Sequence, residues 1–382
     1  MWQRRASRSS RPPSKPSPSL ERSQDVMRTF VYRPGDGPRA WGRAHGEQWR
    51  YEIQALAEIR EWLTVQIGAF DHVEQVLEVA REHLPVLQRF DPPLYEELLG
   101  IAEGADVEPE RIVVLNHYTD LRDLKPGAKW DDEGCSVAHV LTEEGTVLGQ
   151  TWDMHISALP YVLMLGIPAT GDRPAMWTLS LVGCLGMAGM NATGVGVCIN
   201  NLRSLDARVG VVWPALVRRA LATKSAEEAR RVVTEAPVGS GHHYLVADPE
   251  QAFGIETSGT HRKVIWSRTP PTYVHTNHCL DDEIAACSTV APESSTHERY
   301  DRLSRALAEN PPRRALDLWW QLASHEGYPR SVCSNLSTPE RPHGSATCSA
   351  VLMNLSRREV YGLDGIIHGR APVAFSFEAL AA

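Results

Sequence analysis

The order of the secondary-structure signals predicts an α+β layered fold. Three observations carry this expectation. The first third of the chain has helical periodicity to about Tyr118. Strand signals begin abruptly after Gly134. Helical blocks then separate that strand-rich stretch from a closing pair of strands. Runs of strands set apart from runs of helices, without regular βαβ alternation, are the pattern of an α+β domain. The 382 residues, 42% hydrophobic and 23% charged, are long enough and apolar enough to bury a large core.

In chain order, residues 1–27 stand apart as a basic, Ser- and Pro-rich extension. Arg4, Arg5, Arg8, Arg11, Lys15 and Arg22 outnumber its acids, and its composition cannot offset chain entropy by burial, so disorder is expected. No apolar stretch follows Arg4-Arg5, which argues against a twin-arginine signal. Trp49, Ile53, Leu56, Ile59, Leu63 and Ile67 recur at three- and four-residue steps and mark one buried helical face. A second helix is expected from Val73 to Phe90, kinked or ended by Pro85. A short one follows Asp91-Pro92-Pro93 to near Gly104, and another starts at Glu108-Pro109. Leu121 to Gly134, ending Asp131-Asp132-Glu133-Gly134, reads as an exposed acidic linker.

Strands are expected at Ser136–Leu141 and Thr146–Trp152, as a hairpin around Glu143-Glu144. The uncharged run Pro174–Leu202 is long enough for a membrane span, but five glycines and Asn191, Asn200 and Asn201 favour buried strands. Helices are expected at Trp213–Ala222, Ser225–Glu235, Thr296–Glu309 and Arg314–Ser324. Further strands are expected at His243–Ala247, Ala252–Thr257, Ala350–Leu355 and Val360–Leu363.

Charge and cysteine content exclude whole classes. A net charge of −8 argues against a uniformly basic nucleic-acid binder. Seven cysteines without a C-x-x-C pair fit neither a disulfide framework nor a structural zinc module. The residue that invites chemistry is Cys135, which opens a strand straight after Gly134. A cysteine in such a place usually just packs. If the Gly134–Cys135 peptide were cut, however, Cys135 would carry both a thiol (pKa about 8.5) and an α-amine (about 7.7–8.0), close enough to exchange a proton. The amine would then be the general base of its own nucleophile. Glycine at 134 is expected to allow the thiol's strained approach to its carbonyl.

Glu133-Gly134-Cys135-Ser136-Val137-Ala138 and Gly149-Gln150-Thr151-Trp152-Asp153 resemble the acyl-CoA:isopenicillin N acyltransferase family, the C45-type N-terminal nucleophile (Ntn) hydrolases. Gly42 to Gln48, Leu98 to Asn116, Val274-His275-Thr276-Asn277-His278 and Thr347 to Asn354 resemble further family motifs in the same order. The resemblance implies a four-layer αββα sandwich made as an inactive precursor. Residues 28–134 would be a helical pro-segment, the future α chain, and 135–382 the catalytic core, the β chain. Cys135 would be the nucleophile, freed by self-cleavage after Gly134. Asp153 would orient the new amine, and Asn277 would donate its amide to the oxyanion.

Asn200, Asn201, Arg203 and Thr347 are the substrate-binding candidates. The implied reaction is hydrolysis of a small N-acyl amine or N-acyl amino acid, β-alanyl amines among them. Acyl-CoA-dependent N-acyl transfer is the alternative, and an unprocessed, non-enzymatic fold relative the second. Bile-salt and penicillin V acylases commonly carry an Arg near Thr151, so its absence argues against those substrates. No cofactor, metal, nucleic acid or membrane is expected. His275, His278 and Cys279 keep a three-ligand metal reading open. The expected partners are a small amide or thioester substrate and the two processed chains held together, in the cytoplasm.

Overall fold

The computed structural model of the chain describes residues 27–129, 134–340 and 344–381. Nearly all of the basic extension, and Asp131-Asp132-Glu133 of the acidic linker, lie outside the described residues.

Strand β1 (Thr29–Val31) precedes five helices: α1 (Pro38–Gln48), α2 (Arg50–Ile67), α3 (Val73–Phe90), α4 (Pro92–Ala105) and α5 (Pro109–Asp123). Pro85 lies inside α3 without ending it. Helices α1 and α4 pack backbone against backbone. A Cβ on Gly42 would stand 2.0 Å from the Glu97 carbonyl oxygen, and one on Gly100 2.2 Å from that of Arg39. The glycine pairs Gly42/Gly46 and Gly100/Gly104 are thus a matter of space between helices.

The strand-rich stretch runs β2 (Gly134–Thr142), β3 (Gly145–His155), β4 (Val162–Ile167), β5 (Met176–Leu181), β6 (Ala188–Asn191) and β7 (Gly196–Leu202). Then come α6 (Trp213–Leu221), α7 (Ala226–Glu235), β8 (Gly241–Ala247), β9 (Ala252–Thr257), β10 (Arg262–Trp266), β11 (Tyr273–His275) and α8 (Asp282–Ala285). The chain closes with α9 (Thr296–Glu309), α10 (Ala315–Leu322), β12 (Ser345–Asn354), β13 (Glu359–Asp364) and β14 (Val373–Phe375).

These strands form an eight-stranded sheet, β1-β4-β5-β6-β7-β8-β9-β10, and a six-stranded sheet, β11-β2-β3-β12-β13-β14. The sheets face each other where β2 and β3 cross β7 and β12 crosses β6. Helices α6 and α7 cover the eight-stranded sheet, with α5 against α6, while α9 and α10 cover the six-stranded one. The result is the expected α+β sandwich of four layers, αββα. The pleat sorts the side chains of β2. Val137 joins the core between the sheets, whereas Ala138 and Val140 pack under α9 and α10 with Leu303, Leu318 and Trp319.

The linker expectation needs correction at both ends. Helix α5 continues through Leu121, Arg122 and Asp123, all buried. At the other end Gly134 is buried as the first residue of β2, not exposed.

Candidate active site

Cys135 is the second residue of β2 and only 6% exposed. Its backbone is held by side chains from three distant elements. Its N–H donates to Asn277 Oδ1 at 2.8 Å. Its carbonyl oxygen accepts from Arg299 Nη1 at 2.6 Å and Asn200 Nδ2 at 3.1 Å. A strand's own ladder requires none of these bonds. Arg299 also donates from Nη2 to Asn277 Oδ1 at 2.8 Å and from Nη1 to Ser136 Oγ at 3.0 Å, so one guanidinium ties α9 to both sides of the Cys135 peptide.

The antiparallel register sets Gly134 opposite Asp153 and Cys135 opposite Trp152. Alternation along the pleat therefore puts the thiol on Trp152's face and Asp153 on the opposite one, facing Gly134 and Arg299. A Cβ on Gly134 would come within 2.9 Å of Arg299 Nη2 and 3.3 Å of Asp153 Oδ2. Glycine thus leaves room between a cation and a carboxylate that a Cβ would crowd. Asp153 accepts from Thr347 Oγ1 at 2.7 Å and Ser334 Oγ at 3.2 Å. Burial pushes its carboxyl up to about 6, against the pull of Arg299 and the two hydroxyls.

The structure brings Gly134, Cys135, Asp153, Asn201 and Asn277 to one small cavity of about 30 Å³, walled by Trp152, Met154, Ile199 and Trp213. Three substrate-binding candidates sit elsewhere. Asn200 is fully buried and donates to the Cys135 carbonyl, with its Oδ1 against His243 Nδ1 and His275 Nδ1. Arg203 turns to the carbonyls of Ala128 and Lys129 and to the Asp123 carboxylate. Thr347 lies opposite Asp153 and donates to its carboxylate, and is not among the residues that line the cavity.

Asn277 lines the cavity, but one hydrogen of its amide already goes to the Asn201 carbonyl at 2.9 Å. Only the second is left for an oxyanion. The His275, His278, Cys279 ligand set is not assembled. His275 lies between Glu256 Oε1 (2.8 Å) and the Thr276 carbonyl (2.6 Å), and His278 faces the hydroxyls of Thr276 and Thr296. Among the described residues, the potential ligands close enough to share an ion are Asp206, His261 and Cys287.

Sequence reasoning missed Arg299 and Ser334. A signal existed for Arg299: Thr296, Arg299, Leu303 and Leu307 are the buried positions of α9, so an arginine occupies an apolar register. Ser334 lies in a loop, and nothing local marks it. The helical segment also contributes to the site. Thr119 lines the cavity, and an adjoining cavity of about 30 Å³ is lined by Arg60, Leu115, Tyr118 and Met187. No helix among the described residues is long and apolar enough to cross a membrane.

The model of the family "Acyl-coenzyme A:6-aminopenicillanic acid acyl-transferase" matches residues 140–338, just over half the chain. That stretch holds Asp153, Asn277, Arg299 and Ser334 but begins after Cys135 and ends before Thr347. The acyl-coenzyme A:6-aminopenicillanic-acid-acyltransferase 40 kDa form of Emericella nidulans is 28% identical over 264 residues, covering 68% of this chain and 71% of that protein. Among solved structures, penicillin V acylase from Agrobacterium tumefaciens superposes with a TM-score of 0.45 at 15% identity, over 63% of this chain and 84% of the other. A mutant of conjugated bile acid hydrolase from Clostridium perfringens gives 0.44 at 12% identity, over 64% and 97%. On the family match, the chain belongs to the acyl-coenzyme A:6-aminopenicillanic acid acyl-transferase family and is an enzyme.

Proposed function

We propose that the protein is a self-processing N-terminal cysteine amidohydrolase for a small N-acyl amine or N-acyl amino acid. The carrying observation is the convergence of Asn277, Arg299 and Asn200 on the backbone of Cys135, with Asp153 facing the residue before it. Because the Gly134–Cys135 peptide is buried, an outside protease would not reach it, which favours chemistry from within.

In that chemistry the Cys135 sulfur attacks the Gly134 carbonyl carbon. The C–N bond breaks, its nitrogen leaves as the protonated α-amine, and water hydrolyses the thioester. The freed thiol then attacks a substrate amide, giving an acyl-enzyme and an amine, and water or an amine acceptor takes the acyl group. Asn277's remaining amide hydrogen fits the oxyanion. Such a preorganised donor is worth about 2.7–4 kcal/mol in a transition state. Gly134 itself lines the cavity, so cleavage is also what makes room for an acyl group. Trp152, Met154, Ile199 and Trp213 suit an apolar one.

The two chains would stay together. Asp91–Arg173, Glu97–Arg218 and Asp120–His242 all join the helical segment to the part after Gly134. Transfer from an acyl-CoA to an amine shares the acyl-enzyme, and the family match favours keeping it as the second reading.

Intact-mass measurement tests the proposal. The expected result is two fragments meeting at Gly134/Cys135, lost in Cys135→Ala. A single uncut 42.4 kDa species would overturn it.

A further inference from the structure

One buried polar group in the Cys135 cavity has no use in the chemistry above. His242, on β8, lies opposite Asn201 of β7 and lines the cavity beside Trp213 and Thr119. It is only 3% exposed. Its Nε2 meets Asp120 Oδ1 at 2.9 Å. Its Nδ1 is buried and has no hydrogen-bond partner among the described residues. A buried polar nitrogen left in this state is costly, and in a cavity it is a candidate contact for what binds there.

The sign of that contact follows from Asp120. Burial works against its charge, but His117, His242 and the Thr119 hydroxyl outweigh it and hold the carboxyl down at about 2. Among the described residues, no lysine or arginine lies within ion-pair distance of Asp120. His117 stands 3.6 Å away, and burial pushes its imidazole down, against the pull of Asp120. Its Nδ1 accepts from Trp213 N. His242 is thus the side chain that Asp120 holds in place at this end of the cavity. With Nε2–H given to Asp120, an imidazolium presents its Nδ1–H as a donor.

We propose that His242, fixed by Asp120, is a substrate-recognition residue of the Cys135 cavity, donating from Nδ1 to a carboxylate or carbonyl oxygen of the substrate. This rests on the amidohydrolase reading. The contact would select for substrates that carry such an acceptor and leave their acyl chemistry untouched. Asp120 is a positioning residue. It belongs to the segment before the cleavage point, so the first chain would set specificity for a nucleophile on the second.

The test uses matured enzyme and matched N-acyl compounds ending in a carboxylate, a primary amide, a methyl or an ammonium group. The wild type is expected to favour the carboxylate over the methyl compound by about 10- to 100-fold in kcat/KM, mainly through KM, the range of a hydrogen bond to a charged group. His242→Phe should bring that ratio close to one. Asp120→Asn should reduce the ratio in part, and His242→Gln, which keeps a donor of similar shape, should retain some of it. Equal turnover of carboxylate and primary amide would identify a carbonyl oxygen as the acceptor. Preference for the ammonium compound, or an equal loss on all four in His242→Phe, would overturn the proposal.

A second measurement does not depend on turnover. Ring-nitrogen NMR of the full chain, assigned with His242→Gln, shows directly whether Nδ1 of His242 carries the proton that a donor needs. A bare Nδ1 would sink the proposal even if the protein proves active. Failure of the chain to cleave or to form an acyl-enzyme would instead count against the amidohydrolase reading.

Discussion

Arg218 on α6 and Arg299 on α9 are both hidden from water, 4% and 1% exposed. Arg218 makes a two-pronged pair with Glu97, Nη1 to Oε1 at 2.9 Å and Nη2 to Oε2 at 3.0 Å, and adds a bond to the Leu185 carbonyl. Burial opposes its charge, but Glu97 outweighs burial and holds the guanidinium above its ordinary value. Arg299 has no carboxylate within ion-pair distance among the described residues. It bonds neutral oxygens, those of Cys135, Asn277, Ser136 and Ser295, with Asp153 only nearby, and burial pulls it below its ordinary value. The first arginine is neutralised by a partner and holds the helical segment to the sheets. The second keeps unneutralised charge beside the peptide that the mechanism must polarise. A buried cation without a partner costs stability, and a site that develops negative charge gives that cost a purpose.

Exchanging each arginine for methionine breaks the comparison open. Arg218→Met strands Glu97 in the core and should destabilise the protein by about 3–5 kcal/mol in denaturant titrations. The double variant Arg218→Met/Glu97→Met should recover much of that loss, because replacing a whole buried pair is often neutral. Arg299→Met should do the reverse. Its stability should hold or rise, while the rate of cleavage after Gly134, followed by intact mass, falls about 100- to 1,000-fold, the scale of a lost preorganised donor. Equal unfolding of both variants would remove the distinction.

The difference between the two arginines was only half legible in the sequence. Gly134-Cys135 opening a hairpin, the uncharged strands to Leu202 and the α9 and α10 periods all follow from local pattern, and the structure has them within a few residues. What local pattern cannot carry is register between strands far apart in the chain. β12 lies beside β3 and sets Thr347 opposite Asp153, and β11 joins β2 from more than a hundred residues away. Thr347 consequently reads as a pocket residue until its neighbour is known. Asn200 misleads for a related reason. It and Asn201 alternate across one strand, and only the sheet-on-sheet packing decides that Asn201 lines the cavity while Asn200 points at Cys135.

Asp153 gives the next largest effect, this time in pH. Its carboxyl stands at about 6 in the folded chain against an ordinary 3.8, mainly through burial. Between those values the unfolded chain releases a proton that the native one keeps. Its contribution to stability therefore falls as pH rises through that window and levels off above it, at a cost of about 3 kcal/mol. Asp153→Asn lacks this dependence. Its stability relative to wild type should rise from pH 4 to 6 and then stay flat. A constant difference across that range would mean that the buried carboxyl is not titrating.

The smallest prediction compares the hydroxyls that serve the two clusters. Tyr32 donates to Glu97 Oε1 at 2.8 Å, and Thr347 donates to Asp153 Oδ1 at 2.7 Å. Each bond is worth about 1 kcal/mol net, somewhat more because its acceptor is a carboxylate. Tyr32→Phe should lose that amount in stability alone, because Glu97 keeps Arg218 and the cluster touches no reacting group. Thr347→Val should lose it in ionisation, because the Thr347 hydroxyl favours the charged form of Asp153. Its removal moves the Asp153 titration upward from about 6. If ionised Asp153 is what assists cleavage, the acid limb of the cleavage profile moves up with it. A Thr347→Val profile that stays in place would assign Asp153 to architecture, like Glu97, and leave Arg299 as the one charged group that the cleavage step uses.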